Sequence, residues 1–249
     1  MKVEELMNKV VVTVNIETPM KELLDVLSRE KSGRVIVMDK DKPISVITTR
    51  SIIAALSEYG ESLFNLKASD LMSEDLIAVS PEDEVGYVIR KMIANNIGGV
   101  PVIDKNVILG IFTEREAVNL ASKIQIPGFV ESVMSKRIIT ADKCVDLLSA
   151  STIMFRNNLR RLPVTEGGKL IGIVTAADIV KYVSRKGVSG KVLDAGTRNP
   201  ITVSKYTSIS EAAKIMRDKN IGTLPVVDEK LEGIVTERDI LFSLITQLS

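Results

Sequence analysis

Four short segments of this chain place a threonine three residues ahead of a polar or acidic side chain: Thr48 with Ser51, Thr113 with Glu116, Thr175 with Asp178, and Thr236 with Asp239. Two chemistries suit that spacing. A threonine at a helix N-cap and an acid three residues on form a capping box, each side chain taking the other's backbone N–H. A helix N-terminus is also an anion site. A carboxylate there can accept hydrogen bonds from both hydroxyls of a ribose, as acids do in dinucleotide-binding folds. The spacing alone admits both readings. Arginines gather around these corners. Arg50, Arg115 and Arg238 stand two residues after the threonine, with Ala177 at that place in the third copy. Guanidinium forks match phosphate oxygens, although a solvated surface arginine fits the same pattern.

Composition removes most other chemistry. The chain has 249 residues, no His and one Cys. A Ser-His-Asp or Cys-His arrangement therefore cannot form within it. One thiolate cannot build a Cys/His zinc site or an intramolecular disulfide, which suits a reducing compartment. Cys144 follows Lys143 at the expected start of a helix and reads as an idle side chain. Lys+Arg total 33 against Asp+Glu 32, which argues against a dedicated nucleic-acid binder. The opening Met1-Lys2-Val3-Glu4-Glu5 is too acidic for a signal peptide, and no apolar run reaches a membrane span. The expectation is a cytoplasmic, non-catalytic protein with no metal and no required cofactor.

The corners belong to a repeat. Gly110-Ile111-Phe112-Thr113, Gly172-Ile173-Val174-Thr175 and Gly233-Ile234-Val235-Thr236 match, and Ser45-Val46-Ile47-Thr48 is a weaker copy. The threonines are spaced by 65, 62 and 61 residues. Upstream of each lies a short apolar strand: Val35-Ile36-Val37, Val100-Pro101-Val102, Leu162-Pro163-Val164 and Leu224-Pro225-Val226. Arg34 and Arg161, with Arg160 adjacent, stand two residues before the central position of that strand, where the other copies have Gly99 and Thr223. A third anchor opens the copies: Leu6-Met7, Leu71-Met72, Val133-Met134 and, changed, Ala195-Gly196. The copies divide the chain at 1–63, 64–126, 127–188 and 189–249.

Each copy reads β-α-β-β-α, an α/β (α+β) class. In the second, Leu76 to Val79 suggests a strand, and Ser80-Pro81 a helix start. Val85, Val88, Ile89, Met92 and Ile93 fall on one helical face. Asn95-Asn96 suits a left-handed helix end. A hairpin then leads to the helix capped by Thr113. Met20, Leu23, Leu24 and Leu27 make the stripe in the first copy; Ile209, Ala212, Ala213 and Met216 make it in the fourth. Residues 58–62, 125–128 and 185–190 read as linkers. A unit of about 60 residues is marginal alone, so neighbours are expected to pair, 1 with 2 and 3 with 4.

The Leu/Val-Met opening, the Leu-Pro-Val strand and the Gly-Ile-Val-Thr-x-x-Asp corner, present in four co-linear copies, resemble the CBS domain. The four-copy plan is similar to that of the γ subunits of AMP-activated protein kinase and of stand-alone prokaryotic CBS proteins. The resemblance implies two CBS modules with pseudo-two-fold symmetry. It implies a regulatory, energy-sensing role, with AMP, ADP, ATP or S-adenosylmethionine bound in clefts between paired domains and a partner protein responding. It assigns ribose contacts to Thr175, Asp178, Thr236 and Asp239, with Thr113 and Glu116 a longer variant and Ser51 a loss of charge. It assigns phosphate contacts to Arg34, Arg50, Arg115, Arg160, Arg161 and Arg238, the last three grouped around one nucleotide. It lines the adenine slot with Ile139, Thr140 and Pro163 in the third copy and Thr202 and Pro225 in the fourth. Module 3/4 is therefore expected to bind more tightly than module 1/2. The competing function is a protein-interaction module with degenerate clefts; under either function the chain is expected as a monomeric disk or a homodimer.

Overall fold

The structure is a computed structural model, and it describes residues 1–73 and 75–248. Repeat 1 runs β1 (Thr13–Asn15), α1 (Met20–Arg29), β2 (Arg34–Asp39), β3 (Lys42–Thr48), α2 (Thr49–Tyr59). Repeat 2 runs α3 (Val85–Ala94), β4 (Gly99–Asp104), β5 (Val107–Thr113), α4 (Glu114–Ala121). Repeat 3 runs β6 (Ala141–Asp142), α5 (Leu147–Arg156), β7 (Arg161–Glu166), β8 (Lys169–Thr175), α6 (Ala176–Lys186). Repeat 4 opens with α7 (Val192–Ala195) and β9 (Thr197–Arg198), then runs α8 (Ile209–Lys219), β10 (Thr223–Val227), β11 (Leu231–Thr236), α9 (Glu237–Ile245). The first strand of each repeat pairs parallel with the second. In repeats 2 and 4 it shrinks to single bridges, Val79 to Val102 and Val203 to Val226. The hairpin pairs antiparallel in every repeat, with its register broken near the turn.

Apolar spacing places the helices as expected. Val85, Val88, Ile89 and Met92 are buried, as are Met20, Leu23, Leu24 and Leu27. Two local expectations fail. Ser80-Pro81 does not begin a helix. Ser80 N–H donates to Asp83 Oδ2 and the Asp83 amide returns to the Ser80 carbonyl, closing a turn before α3. Cys144 lies before α5 rather than at its first turn, exposed, its amide on Asp142 Oδ1. The expected linkers also carry packing, since Ile126 and Val188 are buried.

The chain forms two compact units. One holds repeats 1 and 3, residues 12–76 and 139–200; the other holds repeats 2 and 4, residues 1–11, 77–138 and 201–249. Compact pairing thus joins alternate repeats, not the neighbours expected from sequence. In the first unit α1 packs on α6, and α2 on α5 and α6. In the second α4 packs on α8 and α9. The reason is that each repeat's helices keep apolar residues beyond those that cover their own small sheet. Ile52, Ile53, Leu56, Ile179, Val180 and Val183 close one core, and Val118, Ala121, Ile240, Leu241 and Leu244 the other.

Neighbours are tied in another way. Their opening segments are exchanged. The opener of repeat 1 adds to the hairpin of repeat 2, Asn8 bridging Ile111. The opener of repeat 2 returns to repeat 1, where Ser73 N–H donates to Ser45 Oγ at 3.0 Å. Repeat 3 lends Ser135 to Ile234, and repeat 4 lends β9 to β8. This exchange explains the repeated glycine. A Cβ on Gly110 would stand 2.7 Å from both the Asn8 carbonyl oxygen and Met7 Sδ. On Gly233 it would stand 2.6 Å from Met134 Sδ. Repeat 1 carries Ser45 at that place and hydrogen-bonds its crossing strand instead.

Candidate functional site

Each corner forms where a hairpin strand ends and a helix begins. In repeat 3, Thr175 N–H and Thr175 Oγ1 both donate to Asp178 Oδ2, at 2.9 and 2.7 Å, and the Asp178 amide returns to Thr175 Oγ1 at 3.2 Å. In repeat 4, Thr236 N–H and Oγ1 donate to Asp239 Oδ2 at 2.7 and 2.8 Å. Glu116 Oε2 takes the same two donors from Thr113. Repeat 1 keeps the form without the charge: the Thr48 amide donates to Ser51 Oγ and the Ser51 amide to Thr48 Oγ1, both at 3.2 Å. All four copies are therefore helix caps.

The cap does not use the whole carboxylate. At Asp178 and Glu116 every acceptor role within the cap falls on one oxygen. Asp178 Oδ1 and Glu116 Oε1 accept no hydrogen bond from the described residues. Burial raises both carboxyls above their ordinary range, while the Thr175 and Thr113 hydrogen bonds pull the other way. A half-buried carboxylate with one oxygen unspent is suited to receive a diol.

Strand register places further residues beside the corners. Arg161 lies opposite Thr175, and Arg34 opposite Thr48. Arg34 also donates to the Ser32 carbonyl at 2.6 Å. Arg160 precedes β7, and its carbonyl accepts the Ala176 amide. Pro163 and Pro225 are buried in β7 and β10. Ile139 is half-buried and Thr140 exposed just ahead of β6; Thr202 is exposed just ahead of Val203. Repeat 4 contributes a residue that the sequence pattern marks only as a departure from arginine. Thr223 lies opposite Thr236 and is 7% exposed, and its hydroxyl has no partner among the described residues. Its signal in the sequence was a polar residue at the head of an otherwise apolar strand.

The second set of arginines is engaged by protein. Arg115 donates to Asn220 Oδ1 at 2.6 Å. Arg50 donates to Asn158 and Arg238 to Asn96. These three asparagines hold positive φ just past their helices, at 57° for Asn158, 52° for Asn96 and 54° for Asn220. Arg238 also pairs with Glu114 at 2.7 Å. Each contact reaches the alternate repeat. Arg238 belongs to one unit and Arg160 and Arg161 to the other, so neither unit contains the expected group of three. Among the described residues no cluster of His, Cys, Asp or Glu could hold a metal ion. Among the described residues no helix is long and apolar enough to cross a membrane.

The CBS domain family model matches at residues 3–58, 68–123, 130–185 and 192–246, and the chain belongs to that family. Protein MJ1225 of Methanocaldococcus jannaschii is 28% identical over 94% of this chain and 95% of its own length. Its crystal structure, described as that of a candidate archaeal homologue of γ-AMPK, superposes with a TM-score of 0.86 at 26% identity, covering 97% of this chain and 99% of that one. The CBS domain pair of protein MJ0100, solved with 5'-methylthioadenosine and S-adenosyl-L-methionine, is 32% identical over 49% of this chain and 98% of that one, with a TM-score of 0.46. Inosine-5'-monophosphate dehydrogenase of M. jannaschii is 32% identical over 59% of this chain, but only 30% of the dehydrogenase is covered. The match does not carry the dehydrogenase's catalysis to this chain.

Proposed function

We propose that this chain is a regulatory protein that binds adenine nucleotides and signals their presence to a partner protein in the cytoplasm. Asp178 and Asp239 hold ribose hydroxyls, with Thr175 and Thr236 fixing each carboxylate in place. Arg160 and Arg161 are the phosphate donors best placed beside the Asp178 corner. Ile139, Thr140 and Pro163 line the base slot in repeat 3, and Thr202 and Pro225 in repeat 4. The repeat boundaries at 1–63, 64–126, 127–188 and 189–249 belong to the same reading. The observation that carries it is the unspent Oδ1 of Asp178: the cap occupies Oδ2 and leaves a half-buried acceptor with no donor among the described residues. The likeness to MJ1225 over nearly the whole chain supports an energy-sensing assignment.

The test is thermal denaturation of the full chain with AMP, ADP, ATP or S-adenosylmethionine. A ligand that binds only the folded state adds about 2.7 kcal/mol at a hundredfold excess over its dissociation constant. No shift with any of the four would leave the corners as caps and favour the protein-interaction module.

A further inference from the structure

Repeats 2 and 4 share a tetrad that repeats 1 and 3 lack. Thr113-Glu114-Arg115-Glu116 and Thr236-Glu237-Arg238-Asp239 each carry Glu and Arg between the capping threonine and the capping acid. Repeats 1 and 3 have Thr49-Arg50 and Ala176-Ala177 at those places. In the folded unit the two tetrads face each other crosswise. Arg238 Nε donates to Glu114 Oε1 at 2.7 Å, and Arg115 Nε stands 3.8 Å from Glu237 Oε1. The Glu114 side chain is only 4% exposed, and Arg238 Nη2 is buried without a hydrogen bond to the described residues. Each arginine then continues to the left-handed asparagine of the other repeat, Arg238 to Asn96 and Arg115 to Asn220. Every charged member of this network lies one or two residues from a capping threonine.

We infer that the crossed Glu–Arg pairs couple the two corners of this unit, so that a change at the Thr236–Asp239 corner alters the first turn of α4. The coupling is a property of the folded chain. Its use in nucleotide sensing rests on the function proposed above. The physical basis is the burial of the Glu114 carboxylate against a half-buried Arg238. A buried charge cannot be left alone cheaply. If the first turn of α9 shifts, Arg238 shifts with it, and Glu114 at the first residue of α4 must follow or give up the Arg238 hydrogen bond. Repeats 1 and 3 form the internal control, because Ala176 and Ala177 have no charge to transmit.

The experiment is amide hydrogen exchange on the full chain, first without ligand. Asp239→Asn removes the cap charge in repeat 4. The expected result is faster exchange in residues 237–241 and also in 114–118, the second by about threefold or more, the low end for residues sharing one network. Asp178→Asn should speed exchange in residues 176–180 and leave 49–52 unchanged. In Arg115→Gln/Arg238→Gln the remote response to Asp239→Asn should vanish. Glu114→Gln/Arg238→Gln, which removes both charges of the buried pair, should abolish it too if the first background is too weak to fold. An unchanged 114–118 in Asp239→Asn, or a remote response surviving in either background, overturns the coupling. A parallel arm with saturating AMP reads the function proposed above by itself: protection at 237–241 tests binding, and that result stands apart from the ligand-free coupling.

Discussion

The unit of repeats 2 and 4 and the unit of repeats 1 and 3 have the same parts and different joints. Both bury helix against helix around an aliphatic core. In the first, two arginines and two glutamates cross between helix N-termini. In the second, one arginine of the same kind remains, Arg50 on Asn158, and its reciprocal has been lost on both sides at once. Repeat 3 has Ala177 in place of the arginine, and the turn after α1, Glu30-Lys31-Ser32-Gly33, has no asparagine. The lesson is that a basic residue near a candidate phosphate site has to be read with its partner. The same arginine position is a joint in one unit and largely dismantled in the other.

The comparison can be broken most directly at Arg238. Arg238→Met takes a charged hydrogen bond away from the buried Glu114 and should cost about 1.5–3 kcal/mol. Urea denaturation measures it, and a loss under 1 kcal/mol would mean the joint is solvated. Next come the crossing openers. Gly110→Val drives a side chain into Asn8 and Met7, at about 1–3 kcal/mol for overpacking. Ser45→Gly in the other unit should lose only a hydrogen bond, about 1 kcal/mol. Similar losses at the two sites would deny that the glycine exists for the crossing.

Ligand binding separates the repeats further. Asp178→Ala and Asp239→Ala should each weaken AMP at least tenfold by titration calorimetry, since hydrogen bonds to a charged group contribute about 1.5–3 kcal/mol each. Glu116→Ala should do less. These titrations belong on the whole chain, because separate halves 1–126 and 127–249 would strip each helix of its alternate-repeat partner.

A smaller effect is the pH dependence of stability. Burial raises the Asp178 carboxyl in the folded state, so the folded chain binds more protons than the unfolded one. Its contribution is full below the ordinary aspartate range and is lost as pH rises through the raised folded value. Asp178→Asn should flatten that decline in melting temperature while weakening AMP binding. A steeper decline would reverse the sign and indicate a carboxylate stabilised by its cap. The smallest change is expected at Ser51→Ala: about 0.5 kcal/mol of stability and less than a twofold change in AMP affinity.

Much of this architecture was legible. The recurring threonines, the Leu-Pro-Val strands and the 3.6-residue stripes give the β-α-β-β-α order because each depends on residues close in sequence. Asn96 could be placed as a helix end for the same reason. The joints could not be read so directly. Arg115 beside a cap looks identical whether it meets water, phosphate or Asn220. The apolar stripe of α4 says that something covers it, but not that the cover comes from α8 and α9. Gly110 hints at a close approach, yet the approaching segment is Met7-Asn8, far away in sequence. Thr223 was visible only as an irregularity until its register with Thr236 gave it a neighbour.

The exchanged openers also set a timetable for synthesis. Ser73 emerges from the ribosome to find Ser45 already made. Asn8 must wait for Ile111, and Ser135 for Ile234. Each wait spans about a hundred residues, on the order of 5–20 s at ordinary elongation rates. During that interval Val3, Leu6 and Met7 have no hairpin to join. Within each neighbouring pair the odd-numbered opener is therefore made first and docks last, and a nascent chain halted at residue 60 would hold a repeat 1 whose own beginning belongs to protein not yet translated.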